Sequence, residues 1–299
     1  MTVAMYKIVD FGSKIEYPAY RALTGARDMS LSKKISAAFV GAIALFSASM
    51  DARAADAPPA NLPACPTKED KPAVAPMLQR VERTLEGNSS ISTMTMTIKT
   101  KSWTRTLKMK SWTKGRDLAL IRILEGGPRE TGMMTLKRQK QLWNYLPQAG
   151  RVMKLPSGML GDSWMGSDFT NDDLVRGSSI VNDFDSQVTG TAQQDGRDVW
   201  RVVLQPKPTA VVVWGKIEML VDRASCVPLQ ERFYDENGKI ARTMSFGDIR
   251  TIGWRQFPGR MSIKPADSER ETIITYDNME FDANIADDTF SLNRLQEGR

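Results

Sequence analysis

The sequence has 299 residues, 41 Lys and Arg against 35 Asp and Glu, and no histidine. The missing histidine removes the commonest general base and the commonest transition-metal ligand. The formal net charge is +6 for the full chain and +3 after residue 54 (34 basic against 31 acidic residues), which is near balance and lacks the clustered basic charge that nucleic acid demands.

The chain opens on what reads as a targeting signal. Met29-Ser30-Leu31-Ser32-Lys33-Lys34 is a positive n-region, Ile35 to Met50 is an Ala-rich apolar run, and Ala52-Arg53-Ala54 is a small-x-small cleavage site. Residues 29–54 are therefore expected to be a secretory signal peptide cut after Ala54, with residues 1–28 an over-long gene call. The apolar run is short for a transmembrane span; the alternative is a cytoplasmic extension before a membrane anchor. Residues 55–72 carry Pro58, Pro59, Pro63 and Pro66 and read as a flexible leader. The two cysteines are Cys65 and Cys226. A disulfide between them would close a loop of about 160 residues, worth on the order of 5 kcal/mol in a secreted protein. Leu62-Pro63-Ala64-Cys65 also loosely matches a lipidation site, and both readings stay open at this point.

Met77, Leu78, Val81 and Leu85 recur at helical spacing between Pro76 and Gly87, which predicts an amphipathic helix. From Ile91 the period changes to two. Met94, Met96 and Ile98 alternate with threonines, and Leu107 and Met109 continue the pattern in the next strand. Leu118 to Leu124, Met133 to Lys137 and Leu142 to Leu146 follow. Val188 to Thr191, Val199 to Gln205, Val211 to Val221, Val227 to Tyr234 and Ile240 to Phe246 read as strands, with Pro258-Gly259 separating two more before Thr272 to Phe281. Gln193-Gln194-Asp195-Gly196 and Asp235-Glu236-Asn237-Gly238 are hairpin turns. The sum is a mainly β, α+β fold. It is expected to be one domain over residues 73–299, with roughly ten or eleven antiparallel strands in a curved sheet covered by a few helices.

No constellation of residues announces chemistry. Gly161-Asp162-Ser163 is like the start of a serine-esterase block, but that block needs a histidine base. Asp168, Asn171, Asp172 and Asp173 miss the spacing of a calcium loop and suit a helix N-terminus instead. No catalytic residue, metal or cofactor is expected. Tryptophan and methionine on the strands are the informative part, because together they exceed what a few helices can cover. Alternation sets Trp143 and Tyr145 on one face of their strand, and Trp200, Val202 and Leu204 on one face of theirs. With Trp103, Leu107 and Met109, these are expected to line a pocket for an acyl chain.

The most distinctive stretch runs from Leu142 to Leu174. It contains Trp143-Asn144-Tyr145-Leu146-Pro147, Arg151-Val152-Met153-Lys154 and Gly166-Ser167-Asp168-Phe169-Thr170-Asn171-Asp172-Asp173-Leu174. This pattern resembles the LolA-like outer-membrane lipoprotein-sorting proteins, in the branch found beside RND-type exporters. The resemblance implies an incomplete antiparallel barrel with helices over its mouth. It implies a periplasmic carrier for lipid or lipoprotein acyl chains, not an enzyme, with an inner-membrane RND-type exporter as a partner. The alternative is a ligand-free interaction partner of such an exporter. Pro156 to Leu174 is about nineteen residues, long for a plain connection. Trp164, Ser167, Asp168 and Phe169 are expected to act there as a lid or a partner-binding loop, with Ser167 and Asp168 capping the short helix that follows.

Overall fold

The computed structural model describes residues 64–68, 71–176, 179–210 and 212–297. The expected signal peptide, the upstream extension and most of the leader lie outside the described residues. What is described of the leader is tied down. A short hairpin, β1 (Thr67–Lys68) and β2 (Lys71–Pro72), leads into α1 (Val74–Glu86). Cys65 is bonded to Cys226, with Cα atoms 5.1 Å apart.

Helix α1 follows the predicted stripe, burying Met77, Leu78 and Val81. It stops at Gly87, whose left-handed φ of 66° suits glycine. A Cβ there would also meet the Phe281 ring at 2.9 Å.

Thirteen strands then form one antiparallel sheet. The first meander is β3 (Ser89–Lys99), β4 (Thr104–Lys114), β5 (Leu118–Glu125), β6 (Met134–Arg138), β7 (Gln141–Leu146) and β8 (Arg151–Lys154). The second is β9 (Phe184–Gln194), β10 (Arg197–Pro206), β11 (Lys216–Asp222), β12 (Pro228–Tyr234), β13 (Ile240–Ile252), β14 (Arg255–Pro265) and β15 (Glu271–Phe281). Their spatial order is β8-β7-β6-β5-β4-β3-β15-β14-β13-β12-β11-β10-β9. The two meanders meet along a single seam, where β15 pairs with β3 from Glu271↔Lys99 to Phe281↔Ser90. β8 and β9 are left as opposite edges, so the sheet curves but does not close.

The sheet has more strands than the roughly ten or eleven expected from sequence periodicity. Pro258-Gly259 does not separate two strands; it lies inside β14. The β14–β15 ladder begins only at Arg260↔Thr275, so the missing N–H of Pro258 falls beyond that ladder. The strand expected from Val211 starts at Lys216 instead, and Val211 itself lies outside the described residues. The Asp195-Gly196 turn has both residues at positive φ, 50° and 75°, as a two-residue hairpin between right-twisted strands requires.

Each face of the sheet is covered over part of its width. On one face, α1 packs Met77, Leu78 and Val81 against Trp200, Val202 and Leu204 of β10. On the other, the C-terminal segment lays Ala283, Ile285, Phe290 and Leu295 over Leu120, Met134 and Leu136. This segment ends in α3 (Leu292–Glu297).

Candidate functional site

The chain leaves the sheet at β8 on one edge and returns at β9 on the other. The intervening loop must therefore travel between the two edges, and it does so across the face that α1 also covers. Trp164 and Phe169 pack there on Leu107, Met109, Ile123 and Ile274. The loop folds on itself first. The Trp164 N–H donates to the Phe169 carbonyl at 2.7 Å. The Ser167 hydroxyl donates to the Trp164 carbonyl at 2.7 Å and accepts the Phe169 N–H at 3.2 Å. The indole N–H of Trp164 reaches Thr135 Oγ1 at 3.2 Å, satisfying the one polar atom of a buried ring.

Three side chains then fasten the loop to the sheet. Thr272 Oγ1 on β15 donates to Asp168 Oδ2 at 2.7 Å and accepts the Asp168 N–H at 2.9 Å. Arg270 forms an ion pair with Asp168 Oδ1 at 3.1 Å and donates to the Gly166 carbonyl at 2.9 Å. Arg105 donates to the Met165 carbonyl. Asp168 and Ser167 therefore do not cap the following helix, α2 (Asn171–Arg176). Thr170 does, in a reciprocal box: the Asp173 N–H donates to Thr170 Oγ1 at 3.2 Å and the Thr170 N–H to Asp173 Oδ2 at 2.8 Å. The Asp168 carboxylate is taken up by β15 and Arg270 and cannot also serve as a cap.

Between this loop, α1 and the sheet lies a cavity of about 530 Å³. Trp164, Phe169 and Leu174 bound it on the loop side. Its walls include Met94, Met109, Met219, Met244 and Met261, with Phe233, Phe246, Phe257 and Ile274. Methionine is unbranched and polarizable, so such a wall adapts to varied apolar shapes. Among the described residues no group of His, Cys, Asp and Glu gathers as a metal site.

Three acidic groups, Asp172, Asp173 and Glu231, line this apolar space, and the last two stand in contrasting circumstances. Asp173 receives both Arg242 Nη atoms, at 2.8 and 2.6 Å. The same guanidinium lies 4.5 Å from the Trp214 ring centre and 4.7 Å from that of Phe233. Burial works against the Asp173 charge, but the Arg242 bonds and charge, joined by Thr170, outweigh it and hold the carboxyl below its usual range. Glu231 has no hydrogen-bond partner among the described residues. Burial pushes its carboxyl up to about 7, although the Arg242 charge pulls the other way.

This shift has a consequence for stability. The unfolded chain releases the Glu231 proton near 4.5, whereas the folded chain holds it until about 7. Between those values the folded state binds more protons, so stability falls as pH rises, by on the order of 3 kcal/mol in all. Urea unfolding at pH 5 and pH 7.5 checks this. The Glu231→Gln variant should lose that decline, and parallel curves for it and the wild type would count against the assignment.

A DUF1329-like family model, described as an uncharacterized protein, matches residues 115–297, more than half of the chain. The chain belongs to this DUF1329-like family. Among curated proteins none matches it. A solved DUF1329 family protein from Desulfovibrio piger is 21% identical, with a TM-score of 0.68 over 75% of this chain and 98% of that one. An outer-membrane lipoprotein-sorting protein domain from Vibrio parahaemolyticus is 23% identical, with a TM-score of 0.64 over 74% and 97%. The LolA superfamily protein NE2245 from Nitrosomonas europaea is 18% identical, with a TM-score of 0.60 over 73% and 97%. The fold of this DUF1329-like chain is thus LolA-like, as the Leu142 to Leu174 stretch suggested.

In the DUF1329-like chain the pocket residues named from sequence are dispersed. Met109 is a cavity wall. Leu107 lies fully buried with Trp164 and Phe169. Trp200, Val202 and Leu204 share the cavity face, pairing with Val221, Met219 and Ile217, but α1 covers them. Trp143 and Tyr145 pair with Leu136 and Met134 and so belong to the opposite face, under the C-terminal segment. Trp103 precedes β4 and is 46% exposed, with the Arg105 guanidinium 5.8 Å from its ring. The sequence reading missed Glu231 and Arg242. Their signal is a charge on the apolar phase of a strand: Leu229, Glu231, Phe233 in β12 and Ile240, Arg242, Met244, Phe246 in β13.

Proposed function

We propose that this protein is a periplasmic carrier that holds the acyl chain of a lipid or lipoprotein in the cavity beneath the Trp164–Phe169 loop. The observation that carries the reading is the cavity itself, about 530 Å³ and walled by methionine and aromatic side chains. That size lies within the usual range of small-molecule sites. Each methylene moved there from water contributes about 0.8 kcal/mol, so transfer needs no cofactor and no covalent step. The Cys65–Cys226 disulfide supports an oxidising compartment. In this reading the loop is the lid. Its fastenings at Arg105, Arg270 and Thr272 are polar and exchangeable, so a partner at the membrane can open it.

Native mass spectrometry of protein purified from the periplasm, followed by lipid extraction, tests the proposal. The expected result is a bound amphiphile that is lost in the Met109→Lys variant, because a lysine on the wall sets an ammonium in apolar surroundings. A wild-type protein that carries no lipid, and accepts none from vesicles, would point instead to a ligand-free partner of an exporter.

A further inference from the structure

We propose that Glu231 is the polar anchor of the cavity, taking the hydrogen-bond-donating head, hydroxyl or primary ammonium, of an amphiphile whose tail fills the rest. The proposal rests on the carrier reading and narrows its ligand. It starts from register. Glu231 pairs with Met219 of β11 on one side and Met244 of β13 on the other, and all three line the cavity. Its neighbour of the same phase on β12, Phe233, is buried and also lines the cavity. The carboxyl thus emerges among thioethers and apolar side chains that supply no strong donor.

The other charged groups lining the cavity do not relieve it. Arg242 is the nearest opposite charge, and both of its Nη atoms go to Asp173. Arg116 pairs with Glu82 at 3.0 Å, and Lys137 and Asp172 have interactions of their own. The Tyr276 phenol, also on the wall, is pushed up to about 12 by burial and stays neutral. A half-buried carboxyl that faces an apolar cavity without a donor is unfavourable, and a leucine or methionine in its place would pack without that penalty. The group is satisfied when something in the cavity brings the donor. Because the site offers an acceptor and a developing negative charge, a hydroxyl or an ammonium fits it. A carboxylate or phosphate head is repelled, since Arg242 is already neutralised.

The test uses the full disulfide-bonded protein with decanol, decylammonium and decanoate at pH 8, each displacing bound N-phenyl-1-naphthylamine. Wild type should bind decanol and decylammonium about tenfold or more tighter than decanoate. Glu231→Leu should bring that ratio close to one. Glu231→Gln should keep the preference for decanol over decanoate and bind decylammonium less tightly than the wild type does. Thermal melts of both variants establish that they are folded. Equal affinities for the three probes in the wild type, or an unchanged ratio in Glu231→Leu, would overturn the proposal while leaving the carrier reading intact. Failure of every probe to displace the dye would overturn both.

Discussion

Replacing Arg242 by leucine is expected to lower stability by about 3 to 5 kcal/mol. Arg242 is 8% exposed, donates twice to Asp173 and stacks on Trp214 and Phe233. Without it the Asp173 carboxylate remains in the cavity wall with only its Thr170 bonds. An uncompensated charge in a poorly solvated place costs more than the ion pair contributed. Because Asp173 belongs to α2, the loss also releases that helix from β13. A second substitution should reverse most of the damage: Arg242→Leu with Asp173→Leu removes both charges, and the pair should lie well above the single variant. Urea unfolding of the four proteins measures this. A single-variant loss below about 1 kcal/mol, the range of an exposed pair, would show that Arg242 is not the clamp described here.

Breaking the disulfide should have an effect of similar size. The bond joins residues 161 apart, so in the chain-entropy model it restricts the unfolded chain by on the order of 5 kcal/mol. For a domain of this size that corresponds to roughly 10 to 20 °C in melting temperature. The folded state loses an anchor as well, since the Cys65 N–H donates to the Ala224 carbonyl at 3.1 Å and holds the entry to α1 beside the β11–β12 turn. The check is a pair of melts, wild type with and without reductant, beside the Cys65→Ala, Cys226→Ala double variant. The reduced and double-variant proteins should melt together and well below the oxidised one. Coincidence of all three would mean that the loop closure carries no stability.

The antiparallel meander was legible in the sequence because its signals are local. Threonine and methionine alternate along β3, and turn residues stand where the hairpins need them. Which face looks into the cavity was not legible. Trp143 and Tyr145 were correctly placed together, yet parity cannot say on which side, because both faces of this part of the sheet are apolar and covered. Position along the sheet was hidden for the same reason. Trp200, Val202 and Leu204 lie on the cavity face but under α1, and only the tertiary crossing of the helix decides that. That the loop packs on the sheet was legible from its aromatic content, and Trp164 and Phe169 are buried there. Its fastening to β15 through Asp168 and Thr272 was not, because 104 residues separate the partners. The charges at 231 and 242 were open to reading and were passed over.

The seam between β3 and β15 has a kinetic meaning. β3 is the first strand of the sheet to be synthesised and β15 the last, so the two meanders cannot join until residues 271–281 exist. Up to then each half has an exposed edge where the seam will form, and the loop and α1 have only part of the surface they cover. Contacts between such distant segments slow folding. In the periplasmic reading proposed above, that delay keeps the chain threadable for export until its end has been made.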